Sequence, residues 1–582
     1  MEHEIMRHRP DAIDLSHHLS LLARSRMSSP LKGMYKYFGR PGMLMLAGGL
    51  PPPDYFPFDS ISAHALVPNS YKTTEATLSS WLWSFFKPTT TTITIPKYIP
   101  NATPDQIQLS SALQYGTAVG IPSLAKFIKD FTELVFRPGY ANYETLVNAG
   151  STDAWSKICT TLLERGDGFL CEQNTYPSAL STAWPSGFRP IPLPMDGAGF
   201  TPEGLQDLLE DWDVFARGGM RRPRVLYTVP VCQNPTGATM TAARKQQIYD
   251  ICVKYDVIIV EDDPYYFLQA GEYEPVHLRG RKASKSLTET DEEFLQSLVP
   301  SFLRYDYQGR VIRIDTFSKT ICPGARMGWT TGHPLLMERM QRANESSSQA
   351  ASGFSQALIT KLLVEEWGMK GFLRWLKGLK AQYRIRRDTL VDSLLVQGHA
   401  SLDIRSVVGR SDQFLWVVKD QRDEKGFIAS SEDEKVLRRG SNESTILSFV
   451  APQGGMFVWL RIHLSNHPLH PSQSTSSLIF NLWEQLAENN VLVAPGTMFD
   501  TDLFGQPLSQ STDPEFASSG LGEEQERMPV TDLLGQGIKL MQNGSGDGYF
   551  RLAFSSASKE EMEKACKIIG KVVTDFFEAP EV

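Results

Sequence analysis

Short runs rich in valine and isoleucine alternate with helical patterns between about Ser110 and about Ala381. Three of these runs are RVLYTVP at 224–230, DVIIVED at 256–262 and RVIRID at 310–315. A strand that is buried on both faces reads as a nearly continuous apolar run of this kind. The alternation with helices therefore predicts an α/β fold built on a mostly parallel sheet.

Segments with helical patterns flank these predicted strands in the sequence. Residues 121–136 place apolar side chains at helical spacing, with Pro122 suited to the first turn. Residues 241–255 lie between the first two runs and predict a crossover helix with Thr241 as its N-cap. The basic segment 373–395 predicts a long helix that leads into the next domain.

The C-terminal part predicts a smaller α+β domain, because strand-like runs at 454–462 and 549–555 precede an amphipathic helix at 559–577. The expected domains are an N-terminal arm with part of the small domain over 1–110, a large domain over 111–385, and a C-terminal small domain over 386–582.

Three stretches interrupt this organisation. Residues 71–100 join an aromatic cluster to a threonine run that offers little to pack into a core. Residues 420–445 and 501–546 are polar and rich in Gly, Ser, Asp and Glu. We expect all three to be insertions, the last two on the surface.

Composition excludes several classes of protein. The 582 residues carry a formal net charge of −8, and the basic run RRPR at 221–224 is short, so a nucleic-acid surface is not expected. Six scattered cysteines without metal-ligand spacing favour a reduced intracellular protein without a metal site. No apolar run approaches the roughly 20 residues of a membrane span, and the first residues lack the apolar core of a secretory signal. These observations predict a cytoplasmic protein.

One lysine, Lys319, follows the predicted strand 310–315 and precedes the turn-forming pair Pro323–Gly324. A surface lysine is the simplest interpretation. However, ligand sites of open α/β sheets form where strands end. Residues 148–157 open a helix, where the amides of 150–152 could cradle an anion or belong to an ordinary N-cap.

Other strand ends offer complementary groups. Asn234 presents an amide in a tight turn, and one carboxylate of 261–263 could hold a protonated ring nitrogen or cap a helix. Tyr176 could stack on a flat ring or pack in the core. Arg551, within an apolar strand, could bind a substrate carboxylate or an internal acid.

These groups together suit a phosphorylated pyridine aldehyde. The helix N-terminus and Arg326 would hold its phosphate, Asp262 would keep its nitrogen protonated, and Lys319 would form the Schiff base.

The chain order of these segments resembles that of the fold-type I, class I/II aminotransferases, which use pyridoxal 5′-phosphate (PLP) and have the aspartate-aminotransferase-like fold. TFSKTICPGARMGW at 316–329 resembles the family's lysine segment, which implies that Lys319 is the catalytic residue. The remaining cofactor contacts implied by the resemblance are Tyr115, Ser151, Thr152, Tyr176, Asn234, Asp262, Tyr265, Thr316, Ser318 and Arg326.

The segments 31–58, 113–128 and 451–460 are most similar to the fungal aromatic aminotransferases and the 2-aminoadipate/kynurenine branch. This resemblance implies ping-pong transfer of the amino group of an aromatic L-amino acid to a 2-oxo acid such as 2-oxoglutarate. It also implies that Arg551, Asn234 and Gly49 bind the substrate. The enzyme would be a homodimer in which Tyr115 reaches the phosphate of the partner subunit.

Other functions remain open from the sequence. The same scaffold could act on 2-aminoadipate, kynurenine or a broad set of donors, or could catalyse another PLP reaction. A regulator with an aminotransferase-like domain is disfavoured because residues 1–30 are too short for a winged helix.

Overall fold

The computed structural model describes residues 9–27, 49–71, 89–103, 105–279, 289–396, 402–407, 410–418, 444–501 and 547–578. The chain divides into two compact units. Unit 1 comprises Met1–Gln233, Ala238–Ala270 and Gly280–Gln382, and unit 2 comprises Asn234–Gly237, Gly271–Arg279 and Tyr383–Val582. The polar insertions expected at 420–445 and 501–546 lie almost entirely outside the described residues.

Unit 1 is built on a seven-stranded sheet. The strands of this unit, in chain order, are β1 (Ser60–Leu66), β2 (Thr90–Pro96), β3 (Glu144–Asn148), β4 (Gly168–Glu172), β5 (Arg189–Leu193), β6 (Met195–Asp196), β7 (Gly199–Phe200), β8 (Val225–Thr228), β9 (Ile258–Asp262), β10 (Val311–Thr316) and β11 (Gly328–Gly332). Seven of them form the central sheet, while β1 with β2 and β6 with β7 form two separate two-stranded sheets. The sheet order is β3-β11-β10-β9-β8-β4-β5, and only β11 runs against its neighbours. Every residue of β8, β9 and β10 is buried, as the continuous apolar runs predict.

The helices follow the predicted pattern. In chain order they are α1 (Leu21–Ser25), α2 (Leu109–Ala112), α3 (Pro122–Val135), α4 (Ser151–Leu162), α5 (Pro177–Ala183), α6 (Pro202–Glu210), α7 (Ala242–Lys254), α8 (Val276–Arg279), α9 (Asp291–Gln296), α10 (Pro334–Glu345), α11 (Gly353–Thr360), α12 (Gly368–Leu395), α13 (Thr475–Glu488) and α14 (Lys559–Glu578), with a π-helix over Lys361–Trp367. Pro122 begins α3, and Thr241 caps α7 by accepting a hydrogen bond from the backbone N of Arg244 at 3.2 Å. Among the described helices, none combines the length and the apolar character needed to cross a membrane.

The threonine run packs, contrary to the expectation from its composition. Strand β2 pairs with β1 in antiparallel register, and Ile93 and Ile95 are buried while the threonines that alternate with them point outward. This two-residue period is the ordinary pattern of a half-buried strand. The pair groups with unit 1. The domain limits drawn from the sequence stay a prediction, and residues 72–88 lie outside the described part of the chain.

Unit 2 contains an antiparallel sheet with helices, as expected for its α+β pattern. Its strands are β12 (Leu402–Val407), β13 (Arg410–Val418), β14 (Ser444–Val450), β15 (Phe457–Ile462), β16 (Ala494–Pro495) and β17 (Gly548–Ala553), in the order β12-β13-β14-β15-β17-β16. Helix α14 buries an apolar face that includes Met562, Cys566 and Ile569 in the core of this unit. The two predicted strands and the C-terminal helix are therefore confirmed.

Candidate functional site

A cradle for an anion forms where β3 passes into α4. Gly150 adopts a φ of +101°, and a Cβ at this position would lie 2.7 Å from Nη2 of Arg326. Only glycine therefore lets the guanidinium approach the first turn of the helix. Oγ of Ser151 is buried and makes no hydrogen bond, and Thr152 follows it on the exposed side. An unused hydroxyl, a helix N-terminus and an arginine together provide the contacts that a phosphate group requires.

The Lys319 turn is connected to this cradle. Strand β10 ends at Thr316, whose Oγ1 donates to Oγ of Ser318 at 2.8 Å. Nη1 of Arg326 donates to the same Ser318 oxygen at 3.3 Å, while its Nη2 donates to the carbonyl of Ala149 at 3.3 Å. Lys319, the next residue, is half-buried. The lysine turn and the cradle before α4, which are far apart in sequence, therefore share one arginine.

The acidic cluster at the end of β9, residues 261–263, separates into two faces. Glu261 and Asp263 lie on the same face as Arg313, with Nη1 of the arginine 3.1 Å and 3.0 Å from their carboxylate oxygens. Lys245 lies 3.3 Å from Glu261, and all four side chains are buried. Because side chains alternate along a strand, Asp262 points to the opposite face.

Asp262 is a buried acceptor without an ion pair among the described residues. Its Oδ2 accepts a hydrogen bond from the hydroxyl of Tyr227 at 2.8 Å, and its Oδ1 is buried and makes none. Burial raises the pKa of Asp262 to about 6, and the hydrogen bond from Tyr227 opposes that rise. At neutral pH the carboxylate is mostly ionised, so it can accept a proton-bearing nitrogen.

The residues present fit PLP. Asp262 Oδ1 is buried and makes no hydrogen bond, which suits it to a protonated ring nitrogen, while Arg326 and the first turn of α4 suit a phosphate; the hydroxyl of Ser151 also lies near enough to Asp262 to lower its pKa. Lys319 supplies the amine that an aldehyde requires. Ser151 and Lys319 follow the ends of β3 and β10, and Asp262 is the last residue of β9. These strand ends lie at one edge of the sheet because the three strands run in the same direction.

Of four other predicted residues of unit 1, two follow strand ends and two are exposed. Tyr176 lies after β4 and Tyr265 after β9, so both follow strand ends at this same edge, and Tyr265 is buried. Tyr115 is 62% exposed, and Gly49 is exposed with nothing within 4 Å of a Cβ added there. The roles of all four stay predictions.

In unit 2 the fold brings Asn234 and Arg551 together. Nη1 of Arg551 donates to Oδ1 of Asn234 at 2.7 Å, although the two are 317 residues apart. The guanidinium lies over the rings of Phe457 and Phe499, 4.3 Å and 4.7 Å from their centroids. An arginine that contacts two aromatic rings has a restricted orientation, which suits it to bind a planar carboxylate.

Sequence reasoning missed Tyr227 and Arg313. Both lie inside the apolar runs that predicted strands β8 and β10. A polar group in a run that is buried on both faces needs a partner, and this signal was available at both positions. The identity of each partner depends on the strand order.

Comparisons with known proteins agree on one family. The model of aminotransferase class I and II matches residues 90–446. An aromatic amino acid aminotransferase of Schizosaccharomyces pombe is 34% identical over 84% of this chain and 91% of its own length. An L-tyrosine:2-oxoglutarate aminotransferase of Serpula lacrymans is 30% identical over 97% of this chain and 96% of its own. The crystal structure of aminotransferase Aro8 from Candida albicans superposes with a TM-score of 0.75 at 32% identity, covering 98% of this chain and 100% of that one.

Proposed function

Because this chain belongs to the class I and II aminotransferases, a PLP-dependent family, we propose that it transfers the amino group of an aromatic L-amino acid to a 2-oxo acid such as 2-oxoglutarate. The family, the fold-type I architecture and the cofactor expected from the sequence are confirmed. The observation that carries the proposal is the sharing of Arg326 between the Lys319 turn and the cradle before α4. The aromatic donor is supported by the names of the fungal relatives.

When bound, PLP supplies an electron-withdrawing ring and the carbon that carries the amino group between the two half-reactions. Lys319 acts as the base: its neutral amine accepts the proton from Cα of the amino acid, and its ammonium form returns a proton. Asp262 keeps a negative charge beside the ring nitrogen and so holds a proton there. Ser151, Ser318 and Arg326 would hold the phosphate.

The substrate carboxylate is assigned to Arg551. Its contacts with Asn234, Phe457 and Phe499 fix the plane of the guanidinium before substrate arrives, so little orientational freedom is lost on binding. We assign Asn234 a second role near the cofactor ring, and Gly49 a place near the substrate side chain.

The proposal includes a homodimer. An exposed aromatic side chain such as that of Tyr115 suits an interface, where it would reach the phosphate held by the partner subunit. Thr152, Tyr176, Tyr265 and Thr316 complete the proposed cofactor contacts. The cytoplasmic location stays a prediction.

The donor is tested by single half-reactions. The PLP-loaded enzyme is mixed with one amino acid at a time, and the absorbance change of the bound cofactor gives the rate. We expect phenylalanine, tyrosine and tryptophan to react at least about tenfold faster than 2-aminoadipate or kynurenine, since a misfit as small as one methylene in an apolar pocket changes kcat/KM by about 10- to 200-fold. Faster reaction of 2-aminoadipate or kynurenine would instead assign the enzyme to that branch.

Replacing Tyr227 by phenylalanine should move the acid limb of kcat/KM to higher pH. The hydroxyl of Tyr227 lowers the pKa of Asp262, so its loss raises that pKa above about 6. Activity requires the ionised carboxylate, which exists above its pKa and is lost as the pH falls through it. The shift is measured from the pH profile of kcat/KM between about pH 5 and pH 9, a range that brackets the pKa of Asp262.

The matched control is Tyr249→Phe, which also removes a tyrosine hydroxyl that donates to a buried carboxylate, that of Asp306, at 2.9 Å. This variant should keep the wild-type acid limb. If kcat/KM of Tyr227→Phe and of wild type falls at the same acidic pH, the role of Asp262 in the pH profile is contradicted.

Replacing Arg551 by alanine should lower kcat/KM for amino acids by about 10²-fold, because charge-assisted hydrogen bonds to the carboxylate are lost. Steady-state kinetics with the best donor measure the effect, which should fall mainly on KM. Arg461→Ala is the control, since Arg461 lies on the neighbouring strand β15 and pairs with Asp547. A similar loss in both variants would argue against a specific carboxylate contact.

A further inference from the structure

A second cleft, of about 300 Å³, lies in unit 1 at the opposite edge of the sheet from Lys319. Its lining comes from 17–24, 162–168 and 221–224. Strand β4 begins in this lining at Gly168 and β8 begins directly after it, whereas the Lys319 turn follows the end of β10. These strands are parallel, so their beginnings lie about one strand length, roughly 15 Å, from their ends.

The charge of this cleft is opposite to that of the whole chain. Four arginines line it, Arg24, Arg221, Arg222 and Arg224, against two acids, Glu164 and Asp167. With neutral histidines, the lining carries a formal charge of +2, in a chain whose net charge is −8. A concave positive site in an otherwise acidic protein attracts small anions.

Both acids of the lining already have partners. Asp167 accepts two hydrogen bonds from Arg221, one of them from Nε at 2.6 Å, and a third from the backbone N of Glu164 at 2.8 Å. Glu164 in turn accepts a hydrogen bond from the backbone N of Leu21 at 2.5 Å. Asp167 therefore neutralises Arg221, and Glu164 binds the backbone at Leu21.

The other three arginines form no ion pair with a carboxylate in the described ranges. Arg24 is held by backbone carbonyls, with its Nε donating to that of Leu19 at 3.0 Å. Arg222 lies over the ring of Tyr255, 5.3 Å from its centroid. The side chain of Arg224 forms no hydrogen bond or ion pair with the described residues, and its backbone carbonyl accepts a hydrogen bond from the backbone N of Ile258 at 2.8 Å.

The nearby Asp256 does not neutralise these arginines. It accepts hydrogen bonds from Nε2 of His17 and His18 at 2.8 Å and 3.0 Å, and it pairs with Arg310 at 2.7 Å. Burial lowers the pKa of His18 to about 4, so this imidazole is neutral at physiological pH. After the pairing of Arg221 with Asp167, the cleft keeps the charges of Arg24, Arg222 and Arg224 against that of Glu164, a net charge of +2.

We propose that this cleft binds a small dianion, a phosphate monoester or a dicarboxylate, through Arg24, Arg222 and Arg224. Guanidinium groups present paired donors in a plane, which match the oxygens of both kinds of anion. Small-molecule sites have volumes of about 300 Å³ and above, so the volume of this cleft lies at the lower end of that range. The site is separate from the proposed active site and requires none of its residues.

The test uses the PLP-loaded enzyme, in which the phosphate cradle before α4 is occupied. Inorganic phosphate and succinate are titrated separately by calorimetry at constant ionic strength, each into wild type and into an Arg222→Gln/Arg224→Gln variant. Succinate is also titrated into Arg551→Ala, which removes the proposed substrate contact. We expect at least one probe to bind wild type and to lose at least about tenfold in affinity in the double variant.

The matched control is Arg137→Gln/Arg217→Gln, which removes the same charge from two exposed arginines of unit 1 that do not line the cleft. It should bind as wild type does. Binding of phosphate alone would assign a phosphate monoester, and binding of succinate alone a dicarboxylate. The proposal is overturned if neither probe binds, or if the Arg222→Gln/Arg224→Gln variant binds no more weakly than the control variant.

Discussion

Replacing Lys319 by alanine is expected to lower the turnover number of transamination by about 10⁴-fold, the upper part of the range for loss of a general base. The variant loses the amine that bonds to the cofactor aldehyde and also the group that moves the Cα proton. Ser318 and Arg326, which hold the phosphate in our proposal, remain. PLP should therefore still bind, but without a covalent bond to the protein.

A labelling experiment identifies the lysine that bonds to the cofactor. Borohydride reduction of the PLP-loaded wild type, followed by peptide mass spectrometry, should place the cofactor on Lys319, and the variant should carry no label. Lys254→Ala is the control, because Lys254 is exposed and pairs only with Glu210 among the described carboxylates. A labelled variant with full turnover would reject Lys319 as the catalytic residue.

The central sheet could be predicted because its strands carry a signal that does not depend on their neighbours. A strand buried on both faces must be apolar along its length, and β8, β9 and β10 are. The expectation failed at β2, where threonine content concealed the two-residue period of Ile93 and Ile95. Composition averages over the two faces of a strand, but burial distinguishes them.

The site could be predicted as a set of residue types but not as a set of contacts. The positions of Lys319 and Asp262 after strands point to one edge of a sheet, and the family resemblance gives their roles. The contact of Arg551 with Asn234 depends on tertiary structure, since 317 residues separate them. Likewise, RRPR reads as a short basic run until the fold shows that Arg221 has an acid and Arg222 has none.

Replacing Asp262 by asparagine is expected to lower kcat by about 10²–10³-fold without lowering the melting temperature. The catalytic loss follows because an amide does not provide the negative charge that keeps a ring nitrogen protonated. Removing one preorganised electrostatic contact of this kind typically lowers kcat by about 10²–10³-fold. Stability should be kept because burial raises the pKa of Asp262 to about 6. In the folded state this carboxylate binds its proton more tightly than in the unfolded state, so the ionised form costs stability at neutral pH.

A substitution at Arg313, on the neighbouring strand β10, should give the reverse result. Arg313→Gln leaves the buried carboxylates of Glu261, Asp263 and Asp315 without their guanidinium, and breaking a buried charge network costs about 3–5 kcal/mol. Thermal unfolding and half-reaction rates are measured on both variants, each loaded with PLP. We expect Asp262→Asn to lose activity and keep stability, and Arg313→Gln to lose stability. If Asp262→Asn instead melts at a lower temperature and retains its rate, Asp262 serves the fold rather than the cofactor.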